Sequence, residues 1–123
     1  MGGELFVMDD GWFGNKYPRN NSTSSLGDWE VCKEKLPEGI EGLLKSAKKY
    51  NIKFGIWIEP EMANTKSELF EKHPDWIMRI KNRPLSTGRG KTQVVLDLTN
   101  PEVQDFVFGV VDNLMTKYPE IAI

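Results

Sequence analysis

The chain has 123 residues and a formal net charge of −2, with basic and acidic side chains interspersed along it. It is long enough for one modest domain. The sequence has no basic stripe, which argues against a nucleic-acid partner, and no apolar run near the ~20 residues of a membrane span, which argues against a membrane partner. The single cysteine, Cys32, excludes an internal disulfide and a Cys-x-x-Cys metal site, which favours a reducing compartment and predicts a cytoplasmic protein.

The first predicted element is a strand, Glu4–Asp9, with the sequence ELFVMD. It is apolar on both faces, so we expect it to be covered on both sides. It ends on two adjacent carboxylates, Asp9 and Asp10, and the chain then continues as Gly-Trp-Phe-Gly. A long loop rich in glycine, asparagine and serine follows from Gly14 to Glu30, and structureless loops of this length are often functional.

A strand-helix-strand unit is predicted next. Pro37 should open a helix that runs to Tyr50, because proline is favoured at the first helical position, and Asn51 should be its left-handed cap. A second strand, Ile52–Glu59, follows almost at once. So short a link after the helix is typical of a right-handed βαβ unit with parallel strands.

The segment after the second strand is predicted to be an excursion from its C-terminal end. We expect a short helix at 66–72, capped by Asn64 or Thr65. Two β-prone runs, 76–80 and 92–98, flank a polar loop.

The longest helix is predicted to begin at Asn100-Pro101-Glu102 and to end before Pro119. Its apolar side chains form a continuous stripe at helical spacing: Val103, Phe106, Val107, Val110, Val111, Leu114, Met115 and Tyr118. Residues 121–123 predict the start of a third strand. Fewer than three βα units do not close a barrel, so the segment 1–123 is expected to be part of a (β/α)8 barrel, a fold that typically needs ~250 residues.

Candidate functional side chains lie where the predicted parallel strands end, because active groups of βα folds sit at the C-terminal ends of the strands. Asp9 and Asp10 follow the first strand, and Trp57, Glu59 and Glu61 lie at the end of the second. Alternation along a strand places Asp9 and Asp10 on opposite faces, so only one should point into a barrel mouth unless the strand ends between them.

These residue types also have structural interpretations. A carboxylate at a strand end can accept backbone N–H bonds, and we expect Trp29 and Trp76 to pack in the interior. His73 and Cys32, the only residues of their types, are expected to have structural roles or none. The acidic pair followed by Gly-Trp instead favours a carbohydrate site, where carboxylates bind sugar hydroxyls and indoles stack on the apolar sugar face.

Glu59 and Glu61 have a spacing that would suit the carboxylate pair of a glycosidase. Two residues apart on a strand, they would be separated by ~6.6 Å, within the roughly 5 to 9.5 Å of such pairs. Both would project from one strand, however, whereas a catalytic pair flanks the scissile bond from two directions. We therefore do not assign them as the catalytic pair.

Several motifs together resemble the bacterial α-galactosidases of glycoside hydrolase family 36. They are ELFVMDDGWFG, LGDWEV, KLPEGIEGL, KFGIWIEPEM, HPDW and QVVLDLTNPEV, and they occur in order along essentially the whole chain. The resemblance implies a (β/α)8 catalytic barrel, of which this chain supplies about strands two and three with their helices and the start of strand four. It also implies retaining hydrolysis of terminal α-linked galactose, as in melibiose and raffinose, without a metal or other cofactor.

The resemblance further implies roles for individual residues. Asp9 and Asp10 match paired aspartates that hold galactose hydroxyls, and Trp57 matches a tryptophan that lines the same subsite. Arg89 best matches an arginine in the family's Gly-Arg-x-Gln loop. Here extra residues separate the arginine from the glutamine, and Arg83 is the alternative.

The family's nucleophile lies in a Lys-Trp-Asp-Met-Asn motif on strand four, and its acid/base aspartate comes later still. That motif does not occur before Ile123, so no catalytic residue is assigned and this chain alone is expected to be inactive. Family members are often tetramers, so the expected partners of the full-length enzyme are a galactoside and copies of itself. Two alternatives stay open: a galactosyl-transferring relative similar to raffinose synthase, and a sugar-binding fragment without catalytic activity.

Overall fold

A computed structural model of the chain describes residues 2–123. The strands and helices, in chain order, are β1 (Leu5–Met8), α1 (Gly39–Lys49), β2 (Lys53–Ile56), β3 (Met62–Asn64), α2 (Glu68–Lys72), β4 (Gln93–Val95) and α3 (Pro101–Lys117). Two short 3-10 turns, Pro74–Trp76 and Arg89–Lys91, lie between α2 and α3. None of the helices described has the length and hydropathy that crossing a bilayer requires.

β1 and β2 form a parallel pair in which Phe6 lies opposite Phe54. The prediction of a strand-helix-strand unit with parallel strands is therefore confirmed. On the other edge of β2, Phe54 forms a parallel bridge with Ile121, and the Ile56 N–H donates to the Ile123 carbonyl oxygen over 2.8 Å. The C-terminal residues thus run alongside β2, as expected at the start of a third parallel strand.

The apolar side chains of β1 are more exposed than the sequence predicts. Leu5, Phe6 and Val7 keep 45%, 52% and 47% of their surface accessible, whereas Phe54 of β2 keeps 2%. β1 hydrogen-bonds with β2 along one edge, and within residues 2–123 no other strand pairs with it. Leu5 and Val7 lie on one face and Phe6 on the other, so the expectation that both faces are covered is wrong for the described residues. Pairing with β2 covers an edge of the strand and leaves its faces to be covered by other elements.

The helix α1 begins two residues later than predicted. Pro37 and Glu38 form a turn that the Gly39 N–H closes on the Leu36 carbonyl oxygen, and Gly39, the first residue of α1, has a positive φ of 67°. At the other end, Asn51 has a φ of 55°, so the predicted left-handed residue is confirmed. The N–H groups of Asn51 and Ile52 both donate to carbonyl oxygens of the last helical turn, which is the pattern of a Schellman cap.

The helix α2 is capped by Ser67 rather than by Asn64 or Thr65. The Ser67 hydroxyl accepts the Phe70 N–H over 3.0 Å. The carboxylate of Asp28, in the long loop, accepts the first two helical N–H groups over 2.9 Å each. Asn64 cannot serve as the cap, because its side chain is fully buried and bonded elsewhere.

A small antiparallel sheet lies in the excursion between β2 and α3. β3, which the sequence analysis does not predict, pairs with β4. β4 occupies only part of the predicted run 92–98, and the run 76–80 is not a strand. Pro74 starts a 3-10 turn that includes Trp76, and Ile77 then forms only an isolated bridge. The turn that begins at Pro74 thus takes up the start of the β-prone run.

Two clusters of buried apolar residues form the interior. The first comprises Trp12, Phe13, Leu26, Ile40, Phe54, Leu114, Tyr118 and Ile121, and the second comprises Ala63, Leu69, Trp76, Ile77, Val94, Leu96 and Val103. The helix α3 contributes to both, and its start is capped as predicted, since the Asn100 side chain accepts the Glu102 N–H. Its apolar stripe is only partly covered, because Val111 and Met115 are 41% and 46% exposed.

Candidate functional site

The carboxyl ends of β1 and β2 lie side by side and are joined by hydrogen bonds. The Trp57 N–H donates to the Met8 carbonyl oxygen over 2.8 Å, which continues the parallel pairing beyond the end of β2. The indole N–H of Trp12 donates to the Trp57 carbonyl oxygen over 2.9 Å. Asp9 and Asp10 lie between Met8 and Trp12 in the chain, so these bonds hold the acidic pair beside the end of β2.

Asp10 is held by a buried arginine that the sequence analysis does not single out. The Nε and Nη2 atoms of Arg19 donate to the two carboxylate oxygens of Asp10 over 2.9 and 2.8 Å, which makes a bidentate ion pair. The side chain of Arg19 is 4% exposed, whereas that of Asp10 is 34% exposed. One end of the ion pair therefore lies in the interior and the other faces solvent.

Arg19 is itself held by a buried amide. Its Nη1 atom donates to the Ser24 carbonyl oxygen and to Asn64 Oδ1, both over 2.9 Å. Asn64 Oδ1 also accepts the Leu26 N–H, and its Nδ2 donates to the Thr92 hydroxyl over 3.1 Å and to a carbonyl oxygen of the long loop over 3.2 Å. The amide thus uses two acceptor and two donor positions, and it ties the long loop to β3 and to the start of β4.

The local sequence gives little indication of this network. Arg19 is nine residues from Asp10 and 45 residues from Asn64 in the chain, and it lies in a loop without periodicity. The one available signal is compositional, since Arg19 is the only arginine in the long loop that follows the acidic pair.

Asp9 has a different local environment from its neighbour. Its Oδ1 accepts the backbone N–H of Asp10 over 2.8 Å, a bond that stabilises the turn after β1. Asp9 and Asp10 both remain exposed at the surface. Asp9 therefore accepts a backbone N–H bond, as the structural interpretation of a strand-end carboxylate expects. Asp10 instead forms an ion pair with a buried arginine.

Glu59 joins the group from the end of β2. An amide of β4 donates to its carboxylate over 3.4 Å. Burial raises the pKa of Glu59 above its usual value, and the charges of Glu61 and Asp10 raise it further, whereas the charges of Arg19 and Arg89 lower it.

Arg89 lies on a turn that packs against the long loop. The next residue, Gly90, has a φ of 66°, and a Cβ added there would lie 3.3 Å from the Thr23 methyl group and 3.4 Å from the Ser22 hydroxyl. This close approach seats the turn against the loop that carries Arg19. Arg89 itself is exposed.

Trp57 belongs to an aromatic cluster at the edge of the first core. Its ring centroid lies 6.3 Å from that of Phe13 and 6.1 Å from that of Trp29. The expected packing of Trp29 and Trp76 is confirmed, since Trp29 packs on the first core and Trp76 is 7% exposed. His73 stacks on Trp76 with 3.8 Å between the ring centroids, in keeping with a structural role.

A cavity in the described part of the chain lies away from the acidic pair. It has a volume of about 1020 Å³ and is bordered by the long loop, α2 and α3, with Trp29 and Trp76 in its wall. Asp9, Asp10 and Arg89 do not line this cavity, and all three are exposed. Among residues 2–123, no three His, Cys, Asp or Glu side chains converge to hold a metal ion.

Known proteins resemble this chain along almost all of its length. The sequence model of the family described as Melibiase matches residues 1–122. α-Galactosidase AgaA of Geobacillus stearothermophilus is 44% identical over 119 residues, which are 97% of this chain and 16% of that protein. The chain therefore spans about one sixth of the length of this relative.

Solved structures of the same relative resemble this chain in fold as well as in sequence. A variant of AgaA in complex with 1-deoxygalactonojirimycin has a TM-score of 0.86 and 44% identity, over 94% of this chain and 16% of that one. A second AgaA variant, in complex with raffinose, has a TM-score of 0.83 and 45% identity, over 91% of this chain and 15% of that one. Both are described as glycoside hydrolase family 36 α-galactosidases. The chain therefore belongs to the Melibiase family, and the relatives it resembles are glycosidases.

Proposed function

We propose that this chain is part of the (β/α)8 catalytic domain of an α-galactosidase. In this assignment β1 and β2 are barrel strands two and three, and residues 121–123 begin strand four. The parallel order of β1, β2 and residues 121–123 supports it, with α1 and α3 each connecting one strand to the next. The high TM-scores to family members over nearly the whole chain also support it.

The proposed activity is the retaining hydrolysis of terminal α-galactose from melibiose- and raffinose-type sugars. One observation carries it: two adjacent, exposed carboxylates stand at the end of a parallel strand, where βα enzymes bind their substrates. We propose that Asp9 and Asp10 accept hydrogen bonds from galactose hydroxyls and that Trp57 lines the same subsite. Arg89 is preferred over Arg83 as the arginine of the site, because the turn that carries Arg89 approaches the long loop closely at Gly90.

The catalytic aspartates are proposed to lie outside residues 1–123. Retention needs a nucleophile and an acid/base carboxylate on opposite sides of the glycosidic bond, and the Lys-Trp-Asp-Met-Asn motif of the family's nucleophile does not occur within these residues. In this proposal the chain supplies substrate binding, the enzyme needs no cofactor, and the full-length protein is a homotetramer.

The proposal is tested with the full-length protein that carries this segment. We expect it to release galactose from melibiose and raffinose, and we expect the isolated 123-residue chain to release no nitrophenol from an aryl α-galactoside above a mock purification. Transfer of galactose to sucrose without free galactose would identify the transferase alternative instead. Binding of 1-deoxygalactonojirimycin by the full-length protein, without hydrolysis of any of these substrates, would identify a sugar-binding protein.

A further inference from the structure

The geometry of Asp10 depends on one buried side chain. A carboxylate has about four lone-pair positions, and the two hydrogen bonds from Arg19 occupy one on each oxygen. The other lone-pair positions of Asp10 are not used by Arg19, and the Asp10 side chain is 34% exposed. Arg19 therefore holds the carboxylate from the interior and leaves its outer side available to a ligand.

The guanidinium of Arg19 has little freedom to move. Four of its five N–H groups are bonded: two to Asp10, one to the Ser24 carbonyl oxygen and one to Asn64. Asn64 is 0% exposed and bonds β3, the long loop and Thr92 together. The orientation of the Asp10 carboxylate is thus tied to an ordered interior rather than to the surface turn after β1.

We propose that Arg19 is a positioning residue for substrate binding. It fixes the plane of the Asp10 carboxylate so that the outer oxygen lone pairs meet sugar hydroxyls without a loss of side-chain freedom on binding. The proposal rests on the proposed sugar-binding role of Asp10. Asp9 has no corresponding dependence, because its described bond is to the adjacent backbone N–H.

Lysine cannot replace Arg19 in this role. An ammonium group keeps the positive charge, but it is a point donor and cannot hold both carboxylate oxygens in one plane. Arg19→Lys therefore separates charge from geometry. Arg79→Lys, at an exposed arginine of the excursion, is the matched control.

The test is a double-mutant cycle in the full-length protein. The affinity for 1-deoxygalactonojirimycin and kcat/KM for an aryl α-galactoside are measured for Arg19→Lys, Asp10→Asn and the double variant, and again with Asp9→Asn in place of Asp10→Asn. We expect Arg19→Lys alone to reduce affinity and kcat/KM by about ten- to a hundredfold, and Arg79→Lys to change neither. Coupled residues do not contribute additively. When Arg19→Lys is added to the Asp10→Asn protein, affinity and kcat/KM should therefore fall by less than about a further threefold. It should keep its full effect in the Asp9→Asn protein.

Folding is monitored in parallel by thermal unfolding. If Arg19→Lys does not fold, Arg19→Gln replaces it, because Arg19→Gln combined with Asp10→Asn removes both charges and leaves neither buried alone. Equal losses from the Arg19 substitution in the Asp10→Asn and Asp9→Asn proteins would show a merely structural role and overturn the proposal. Full affinity in the Arg19 variants, with impaired Asp10→Asn, would also overturn it. If Asp9→Asn and Asp10→Asn both bind the inhibitor normally, the proposed function itself is wrong.

Discussion

At the scale of single residues, Asp9 and Asp10 are adjacent and chemically identical but have different surroundings. Asp10 neutralises a buried guanidinium, and Asp9 bonds only the adjacent backbone N–H in the contacts described. Removal of either carboxylate removes a proposed sugar contact. Removal of Asp10 also leaves the buried charge of Arg19 without its partner.

Asp9→Ala and Asp10→Ala should therefore both lower kcat/KM on melibiose in the full-length protein, by about ten- to more than a hundredfold. A charge-assisted hydrogen bond contributes roughly 1.5–3 kcal/mol. Only Asp10→Ala should also lower the melting temperature clearly, because an unpaired buried charge costs several kcal/mol. Near-normal kcat/KM in both variants would contradict the binding role, and equal melting temperatures would contradict the structural difference.

Glu59 should make the stability of the site depend on pH. Burial, followed by the charge of Glu61, raises its folded pKa above the ordinary value of 4.5. As the pH rises, the unfolded chain therefore loses this proton first, and stability falls between pH 4.5 and the folded pKa. Glu59→Gln removes that loss.

In the full-length protein, Glu59→Gln should raise the melting temperature at about pH 7, with a smaller gain or none at about pH 4. Glu34→Gln, at an exposed position of the loop before α1, is the control and should show no such dependence. The contradicting result is that Glu59→Gln lowers the melting temperature, and lowers it more at about pH 7 than at about pH 4. That result would show that neighbouring groups stabilise the ionised carboxylate of Glu59.

At the scale of elements, α2 is too short to be stable alone and depends on its caps. It has five residues, and two side chains, Ser67 and Asp28, accept N–H groups from its first turn. Ser67 is local, whereas Asp28 is 40 residues from Glu68 in the chain. The long loop and the excursion are therefore joined at this helix.

Asp28→Ala should destabilise the full-length protein by about 1–2 kcal/mol, as expected for loss of a helix cap, and should increase amide hydrogen exchange across α2. Burial raises the pKa of Asp28 despite its two N–H bonds, so Asp28→Asn, which keeps an acceptor oxygen without the charge, should cost less than Asp28→Ala. Asp75→Ala, at an exposed aspartate of the nearby 3-10 turn, is the control. Unchanged exchange in α2 after Asp28→Ala would mean that Ser67 alone suffices.

At the scale of the whole molecule, the described residues leave much apolar surface uncovered. Leu5, Phe6 and Val7 of β1 are about half exposed, and Phe108 and Ile123 are 70% and 71% exposed. In a closed barrel, neighbouring strands and helices would cover such positions. Among the residues described, β1 has no strand on its outer edge. Residues 121–123 lie on the other edge of β2, where Ile123 is itself exposed.

The isolated 123-residue chain should therefore be associated or molten rather than a stable monomer. Each uncovered core side chain forgoes about 1.5–3 kcal/mol of burial, and a few of them equal the whole ~5–15 kcal/mol stability of a domain. Analytical ultracentrifugation should show oligomers, and a dye that binds apolar surface should fluoresce. A monodisperse monomer with one cooperative thermal transition and no dye binding would contradict both this prediction and the part-barrel assignment.

Several features of this molecule follow from signals that act within a few residues. Asn100 caps α3 and Asn51 ends α1 in a left-handed conformation, both as predicted, because capping depends on bonds between near neighbours. The parallel pairing of β1 and β2 follows from the short link between helix and strand. The motifs around Asp9 and Asp10 identify the family for the same reason, since each is a local run of sequence.

The tertiary structure alone decides the contacts that give the candidate site its form. Arg19 meets Asn64 across 45 residues, and Asp28 adds a second cap to α2 across 40. Such pairs depend on the path of the long loop and on which polar groups become buried together, and neither has a periodic pattern in the sequence. Once burial excludes water, a charged or amide group must find partners wherever the fold supplies them. The sequence by itself therefore determined the family, the parallel strands and the position of the acidic pair, whereas the fold decided that a buried arginine holds one member of that pair.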